Sequence, residues 1–479
     1  MINKFLIFIL SALTSATLYG GGKLPKVLIA EDGRSFQTED GKPFVPFGVN
    51  YFRPGTGWSP QIWKTFDEAA FRADFALMKE TGVNCVRVFL TYGSFMTEKG
   101  KVNPEGLAIF DKFLEIAEDY GIYIHPAGPD HWEGTGYLGE FTKVQERYTD
   151  DEILEMTLLF WKEFATRYKG RNVIFAYDLL NEPEIPWYVP SMKPKWNLWL
   201  KNQYHSAENL AQKRNISLEK INWGNEEAPT DFSNQKLILD YQHFREELAD
   251  HWTKIQVEVI KNVDPQALVT VGFIQWSVPV VISGLKHYSA FKPSRQAPYL
   301  DFMEIHFYPF ASEWFYNPQK EGDTEKNLAY LESVVNELTV IGKPVVIAEF
   351  GWIGGGKLKN SNQGKPAVSE KHQAEWNTAL IETTKGLAVG WLNWGFFDHP
   401  ESHDITELLG LYTVDRKPKA WGIAFKKIAE QLSGQFIYPK KLGTRPKMDW
   451  DWMISDPQAC KKFQKAYFEA FMIEKNESK

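Results

Sequence analysis

Two glutamates each directly follow an apolar run, which makes them candidates for acid–base or nucleophilic chemistry. Glu182 follows the run in NVIFAYDLLNEP, and Glu349 follows the run in KPVVIAEFGW. A charged side chain at the end of such a run is unfavourable unless a cleft or a partner solvates it. Two carboxyl groups in one cleft could hydrolyse a glycoside, because one acid protonates the leaving oxygen while the other carboxylate attacks the sugar or activates water. For either glutamate alone, an ion pair with Arg87 or another cation is the structural alternative.

Most of the other apolar runs also end in polar or aromatic side chains. These residues are Arg87, His125, Asn181, His306, Tyr308, Asn393 and Trp394. Polar residues repeated at the ends of successive strands indicate an active site at one end of a sheet or barrel. This ring of residues favours catalysis by Glu182 and Glu349 over isolated ion pairs.

Eight apolar runs alternate with amphipathic segments along the chain. They begin near Lys42, Asn84, Gly121, Asn172, Ala267, Leu300, Lys343 and Leu387. Strands separated mainly by helices predict a parallel sheet, so the expected fold class is α/β, a (β/α)8 TIM barrel with its reactive groups at the C-terminal strand ends. An open doubly wound sheet is the alternative, but FGVNYFRPGTG after the first run lacks the G-x-G-x-x-G phosphate turn.

The segments between the runs carry apolar stripes with helical period. In FDEAAFRADFALMKETG, the residues Phe71, Phe75 and Met78 share one face, and Gly82 ends the predicted helix. The fifth unit is the weakest, because WSVPVVISGLKHYSAF predicts only a short, proline-interrupted helix. A long insertion over residues 184–237 follows the fourth strand, where it should shape or cap the cleft.

The expected domain organisation is a signal peptide, one catalytic barrel and an extension. Residues 1–22 place Lys4 before an apolar stretch and small residues, as secretory signal peptides do, with an uncleaved anchor as the alternative. The barrel should occupy residues 23–434, because α/β barrels absorb long insertions and remain one domain. Residues 435–479 are expected to pack on the barrel as a C-terminal extension.

Composition narrows the possible partners. The chain of 479 residues has a net charge of −7 without basic runs, so nucleic acid is not an expected partner. Cys85 and Cys460 are too few for a disulfide framework or a cysteine-based zinc site. The 18 Trp, 20 Tyr and 33 Phe offer flat faces that suit sugar rings, although most of them must pack the core.

The motifs YDLLNEPE and VIAEFGW, with Arg87 after strand two, the His-x-Tyr of strand six and Trp394 of strand eight, resemble glycoside hydrolase family 5. This is the cellulase and mannanase family of clan A, and the resemblance runs over residues 40–433 or so. It implies that Glu182 is the general acid/base and Glu349 the nucleophile of a retaining double displacement. Arg87 would lower the pKa of Glu349, so that the nucleophile stays ionised while Glu182 is protonated.

The same resemblance implies roles for four more residues. Asn181 would hydrogen-bond the sugar 2-hydroxyl, and Tyr308 would hold the carboxylate of Glu349. His306 would belong to the hydrogen-bond network around the acid/base, and Trp394 would form the stacking floor beneath the sugar.

The third strand departs from the family pattern, which commonly has a histidine near its end. This chain offers His125 or His131, and we expect His131 with Trp132 to line the cleft, while His125 is equally consistent with a satisfied histidine inside the barrel. The insertion stretch WLKNQYHSAENLAQKRN also resembles family 42 β-galactosidases of the same clan, so the substrate does not transfer from the cellulase and mannanase members.

Other ionisable residues are expected to be structural. Glu184 lies past the end of strand four, and Glu304 lies deeper in the barrel than His306. The remaining histidines lack a metal-ligand spacing such as H-E-x-x-H; they include His287, His372 and His399.

The resulting prediction is a secreted or periplasmic retaining β-glycoside hydrolase that requires no cofactor. Its partner is a carbohydrate substrate, β-mannan or β-glucan cleaved in an endo-β-1,4 manner, with no membrane association beyond the signal peptide. The alternatives are an exo-acting β-glycosidase of β-galactosidase type and a non-catalytic barrel that binds glycans.

Overall fold

The computed structural model describes residues 24–56, 62–98, 101–130, 144–311, 314–359 and 368–477. At its centre is a closed barrel of eight parallel strands. The strands are β1 (Phe47–Asn50), β2 (Cys85–Thr91), β3 (Tyr123–Asp130), β4 (Tyr177–Asn181), β5 (Val269–Phe273), β6 (Met303–Phe307), β7 (Val345–Phe350) and β8 (Gly390–Asn393). Each strand pairs with the next, and β8 pairs with β1, which confirms the predicted (β/α)8 barrel.

Helices surround the barrel. The longer ones are α1 (Glu68–Thr81), α2 (Pro104–Tyr120), α3 (Asp151–Tyr168), α4 (Met192–Tyr204), α5 (Ala207–Arg214), α6 (Gln235–Val263), α7 (Asp323–Thr339), α8 (Glu370–Thr384), α9 (Ala420–Leu432) and α10 (Pro457–Glu477). As predicted, Phe71, Phe75 and Met78 form the buried face of α1. Gly82 ends this helix with φ 88°, a left-handed conformation that glycine adopts without a Cβ clash. Among the described residues, no helix combines the length and the apolarity that crossing a bilayer requires.

The fifth β/α unit has only short helical turns, as its sequence predicts. They are Gln275–Ser277, Leu285–His287 and Pro293–Gln296. The insertion after β4 folds mainly as α4 and α5, and it leads into the long helix α6. Trp196 of α4 packs against the rings of Tyr241 and Phe244 of α6 at 5.0 and 5.2 Å, so apolar contacts attach the insertion to the barrel's helical layer.

The N-terminal end of the barrel is covered by a small antiparallel sheet. Its strands are Val27–Ile29, Phe36–Thr38 and Pro43–Phe44. The ring of Phe36 lies 5.2 Å from that of Phe175 and 5.3 Å from that of Phe302, residues that precede β4 and β6. The cover leaves the opposite, C-terminal end of the barrel for the site.

The C-terminal segment contacts the outer face of α7 through a buried ion pair. Arg445 donates from Nε to Glu332 at 2.8 Å and from Nη1 to Glu474 of α10 at 2.7 Å. The hydroxyl of Tyr467, also in α10, lies 3.2 Å from Glu332. Because the side chains of Arg445 and Glu332 are only 7% and 2% exposed, each charge depends on the other.

Arg445→Ala should therefore lower the free energy of unfolding by about 3 kcal/mol, because it leaves Glu332 buried without its main cation. Denaturant unfolding of the full chain measures the change. Lys475→Ala is the matched control, since it breaks another ion pair between the C-terminal segment and α7. This pair joins Lys475 and Glu325, whose side chains are 33% and 29% exposed. That control should lose less than about 1 kcal/mol; equal losses in the two variants would contradict the prediction.

Candidate active site

Glu182 has an unusual backbone conformation at the end of β4. Its φ is 47°, in the left-handed region that residues other than glycine rarely occupy. Its amide N–H donates to the carbonyl of Gly272 in β5 at 2.8 Å, which fixes this turn against the next strand. The side chain is 28% exposed. The strained turn thus presents a carboxyl group that solvent can reach.

Glu349 at the end of β7 is held at both carboxylate oxygens. Arg87 Nη1 donates to Oε1 at 2.7 Å, and the Tyr308 hydroxyl donates to Oε2 at 2.9 Å. The residue is only 3% exposed. The contact with Tyr308 is the one that the sequence predicts.

His306 in β6 lies between the two glutamates. Its Nδ1 is 3.2 Å from Glu182 Oε1 and 3.5 Å from Glu349 Oε1. One carboxylate oxygen of Glu182, one of Glu349 and a ring nitrogen of His306 lie within 4.8 Å of one another. The short separation brings the two carboxyl groups to one point of the cleft.

The charges around His306 and Glu349 shift their proton affinities. Burial by itself lowers the pKa of His306, but the negative charge of Glu349 and the contacts with Glu182 and Glu304 overcome this effect and raise the pKa to about 9. Burial raises the pKa of Glu349 above its usual value, although His306 and Arg87 act in the opposite direction. Arg87 lowers the pKa of Glu349, as expected, but removal of the carboxylate from water is the larger effect, so the net shift is upward.

Arg87 is the centre of a buried charge network. Its guanidinium contacts Asp178 Oδ2 at 2.6 Å, Glu349 Oε1 at 2.7 Å and Glu304 Oε1 at 3.4 Å. It also donates to the side-chain oxygens of Asn50 at 2.9 Å and Asn181 at 3.0 Å. The structure thus brings the predicted residues Arg87, Asn181 and Glu349 together.

Two members of this network, Asn50 and Asp178, were not predicted. Asp178 also accepts from the N–H of Gly272 at 2.7 Å. A Cβ at Gly272 would lie 2.8 Å from Asp178 Oδ2 and 3.0 Å from Arg87 Nη2, so the network fills the space beside that glycine. Asp178 lies inside an apolar run, YDLLN, and a charged residue within such a run is the signal that could have identified it.

His125 is inside the barrel rather than in the cleft. Its Nε2 lies 2.8 Å from Glu304 Oε2, its Nδ1 lies 2.9 Å from the carbonyl of Ala176, and it is fully buried. Burial acts to raise the pKa of Glu304, but His125, His306 and Arg87 hold that pKa below its usual value. Of the two histidine candidates at the third strand, His131 lies with Trp132 outside the described residues.

The end of β8 carries a largely buried tryptophan and a structural amide. Trp394 is 7% exposed, donates from Nε1 to Thr406 Oγ1 at 3.1 Å, and lies 5.7 Å from the ring of Phe52. Asn393 is not a cleft residue, because its amide donates to the carbonyl of Gly395 and accepts from the indole of Trp421.

Within the described ranges, two groups of side chains carry donor atoms of the kind that metal ions use. They are Glu182–His306–Glu349 and His125–Asp178–Glu304. The guanidinium of Arg87 contacts carboxylates of both groups and already supplies a positive charge there. The donor sets therefore fit a network centred on arginine better than a metal centre.

Comparisons with known proteins place this site in context. The family model described as Cellulase (glycosyl hydrolase family 5) matches residues 38–243 and 245–399. Among curated proteins, the β-galactosidase Pbg of Clostridium perfringens is 22% identical over 450 residues, which cover 87% of this chain and 61% of that protein.

Solved structures share the fold at low identity. The exo-β-1,4-mannosidase Op5Man5 from Opitutaceae bacterium strain TAV5 superposes with a TM-score of 0.60 at 18% identity, covering 85% of this chain and 62% of that chain. A catalytic mutant of Gan42B, a GH42 β-galactosidase from G. stearothermophilus, gives a TM-score of 0.64 at 15% identity, covering 86% and 60%. The chain spans about 60% of the length of each of these three proteins.

The charges around His306 predict that its imidazole remains protonated at pH 7. We expect its ring nitrogens, followed by NMR in protein labelled with 15N-histidine, to titrate near pH 9. His287, whose pKa burial lowers, should be neutral at pH 7 and is the internal control. Because the folded-state pKa lies above the unfolded value, His306 contributes stability at low pH that is lost as the pH rises through about 9. A neutral His306 ring at pH 7 would contradict this prediction.

Proposed function

Because the chain belongs to glycosyl hydrolase family 5, we propose that it is a retaining β-glycoside hydrolase with Glu349 as nucleophile and Glu182 as general acid/base. The observation that carries this proposal is the approach of the two carboxyl groups within 4.8 Å. Retaining enzymes hold their carboxyl groups about 5–5.5 Å apart, whereas inverting enzymes need about 6.5–9.5 Å to admit a water molecule.

The two glutamates have environments that suit these roles. Glu349 is fixed at both oxygens by Arg87 and Tyr308, so its carboxylate is oriented before substrate arrives. Glu182 is partly exposed and can exchange protons with solvent between the two halves of the reaction. In the first half it protonates the leaving oxygen while Glu349 bonds to the anomeric carbon; in the second it accepts the proton of the attacking water.

The proposed substrate is a β-1,4-linked mannan or glucan chain, cleaved internally. An exo-acting β-glycosidase is the second candidate, favoured by the likeness to an exo-β-1,4-mannosidase and to β-galactosidases. Epimer choice depends on a few hydrogen bonds to sugar hydroxyls, which is why product analysis must decide it.

We also propose that the protein is secreted or periplasmic, on the basis of the apolar N-terminal stretch of its sequence. Determination of the N-terminal residue of the exported protein would test this.

The experiment is product analysis of the purified protein on mannan, mixed-linkage glucan, cellulose, xylan and aryl β-glycosides. Release of oligosaccharides supports internal cleavage and identifies the substrate, while release of monosaccharide alone supports the exo candidate. NMR of the first product should show the β-anomer, and an α-anomer would overturn the retaining mechanism. Glycan binding without hydrolysis of any substrate would favour the non-catalytic alternative.

Substitution of each glutamate should have a different effect. Glu349→Ala should abolish turnover of every substrate, because no glycosyl-enzyme can form. Glu182→Ala should lower kcat/KM for oligosaccharides by about 10²–10⁴, and by less for aryl glycosides whose phenol leaves without protonation. Circular dichroism and thermal unfolding establish that each variant is folded. Retained activity in a folded Glu349→Ala protein would show that the nucleophile is another residue.

A further inference from the structure

A cavity lies between the helical wall of the barrel and the C-terminal helix. Its walls come from α7, from α10 and from residues 280–281 of the fifth β/α unit. Its volume is about 260 Å³, whereas one water molecule needs about 10–15 Å³ of such space. None of the described residues that line it belongs to the candidate active site. The cavity can therefore hold an organic molecule at a place separate from Glu182 and Glu349.

The interior of this cavity is mainly apolar. Its apolar side chains include Val281, Ala329 and Phe468. Polar groups in its walls already have partners within the protein. Ser333 Oγ donates to the carbonyl of Tyr330 at 2.7 Å, and Gln275 Nε2 donates to the Tyr330 hydroxyl at 3.2 Å. The side-chain amide of Gln464 donates to the carbonyl of Val280. A sugar would lose water from its hydroxyl groups here and gain few hydrogen bonds in return, so the interior suits an apolar group instead.

The edge of the cavity is positively charged, in a chain whose net charge is −7. Three exposed lysines line it, Lys326, Lys461 and Lys465, and none of its described lining residues is Asp or Glu. Lys465 has a loose ion pair with Glu469, at 4.0 Å and largely exposed to solvent. Lys461 has no ion pair within the described part of the chain. The lysines therefore attract an anion to the opening of an apolar cavity.

We propose that this cavity binds an aliphatic carboxylate, with its hydrocarbon chain between α7 and α10 and its carboxylate at Lys461 and Lys465. Both parts of such a ligand match what lines the cavity. Each methylene group that enters the apolar interior should tighten binding about fourfold. The carboxylate stays near the opening, where it keeps part of its hydration while two ammonium groups attract it. The proposal is independent of the proposed function, because binding can be measured without any substrate.

The test is isothermal titration calorimetry of the full chain with octanoate as the probe. We expect octanoate to bind, and its affinity to fall as salt screens the lysines. The affinity should also fall about fourfold for each methylene removed as the chain is shortened to hexanoate. Octylammonium, which has the same hydrocarbon chain and the opposite charge, should bind at least about tenfold more weakly. Equal affinity for the two ions, or no octanoate binding at about 10 mM, would overturn the proposal.

Charge reversal at one lysine tests where the carboxylate lies. Lys461→Glu should lower the affinity for octanoate about tenfold, because it repels the carboxylate and can also pair with Lys465 one helical turn away. Lys462→Glu is the matched control. Lys462 is the next residue of the same helix, but its ammonium group lies 4.8 Å from the ring centroid of Trp452 and it does not line the cavity. Equal losses of affinity in the two variants would overturn the assignment of the carboxylate to the cavity edge.

Filling the cavity tests where the hydrocarbon chain lies. Ala329 is 4% exposed and lines the cavity from α7, so Ala329→Leu places three more carbon atoms in the space that the ligand needs. We expect this variant to lose octanoate binding at least about tenfold. Circular dichroism establishes whether it is folded; if it is not, the comparison of the two lysine variants still decides the proposal. A folded Ala329→Leu protein that binds octanoate as tightly as the wild type would overturn it.

Discussion

The buried guanidinium of Arg87 is the constraint on which the site depends. It is fully buried and contacts three carboxylates, those of Asp178, Glu304 and Glu349. None of these acids could be buried in charged form without a cation. The free-energy cost of removing a lone carboxylate from water exceeds the stabilisation that packing around it provides. One arginine therefore allows the barrel interior to be polar directly below the cleft. The pairing also works in reverse, since the carboxylates keep the arginine charged and in place.

The two glutamates of the cleft differ in how tightly the protein holds them. Glu349 shares the arginine network and has little freedom, whereas Glu182 is on a strained turn and contacts His306 from a partly exposed position. His306 lies between them, 3.2 Å from Glu182 and 3.5 Å from Glu349, and these contacts raise its pKa. The site thus combines a rigidly held carboxylate, that of Glu349, with a carboxyl group that solvent can reach, that of Glu182. Such an arrangement suits the two-step glycosyl transfer proposed above.

The sequence predicts the strands and the positions of Glu182 and Glu349 at strand ends, because both follow from local patterns. Apolar runs identify strands, and parallel strands that close into a barrel bring their ends together whatever the intervening chain does. Contacts between side chains that come together only when the barrel closes could not be predicted from local patterns. Asp178 and Arg87, which form an ion pair, are 91 residues apart in the sequence. The burial that raises the pKa of Glu349 is likewise not indicated by the residues next to it in the sequence. His125 was ambiguous for this reason, because its partner Glu304 comes from another strand.

Gly272 has a consequence for attempts to change specificity. A single added methyl group at this position would lie 2.8 Å from Asp178 Oδ2, 3.0 Å from Arg87 Nη2 and 3.1 Å from His306 Cε1. Substitution of Gly272 would therefore displace the buried charges around Arg87. Substitutions that alter sugar preference while preserving the fold should be concentrated in the segments beyond the strand ends. There, a larger side chain does not contact a buried charge.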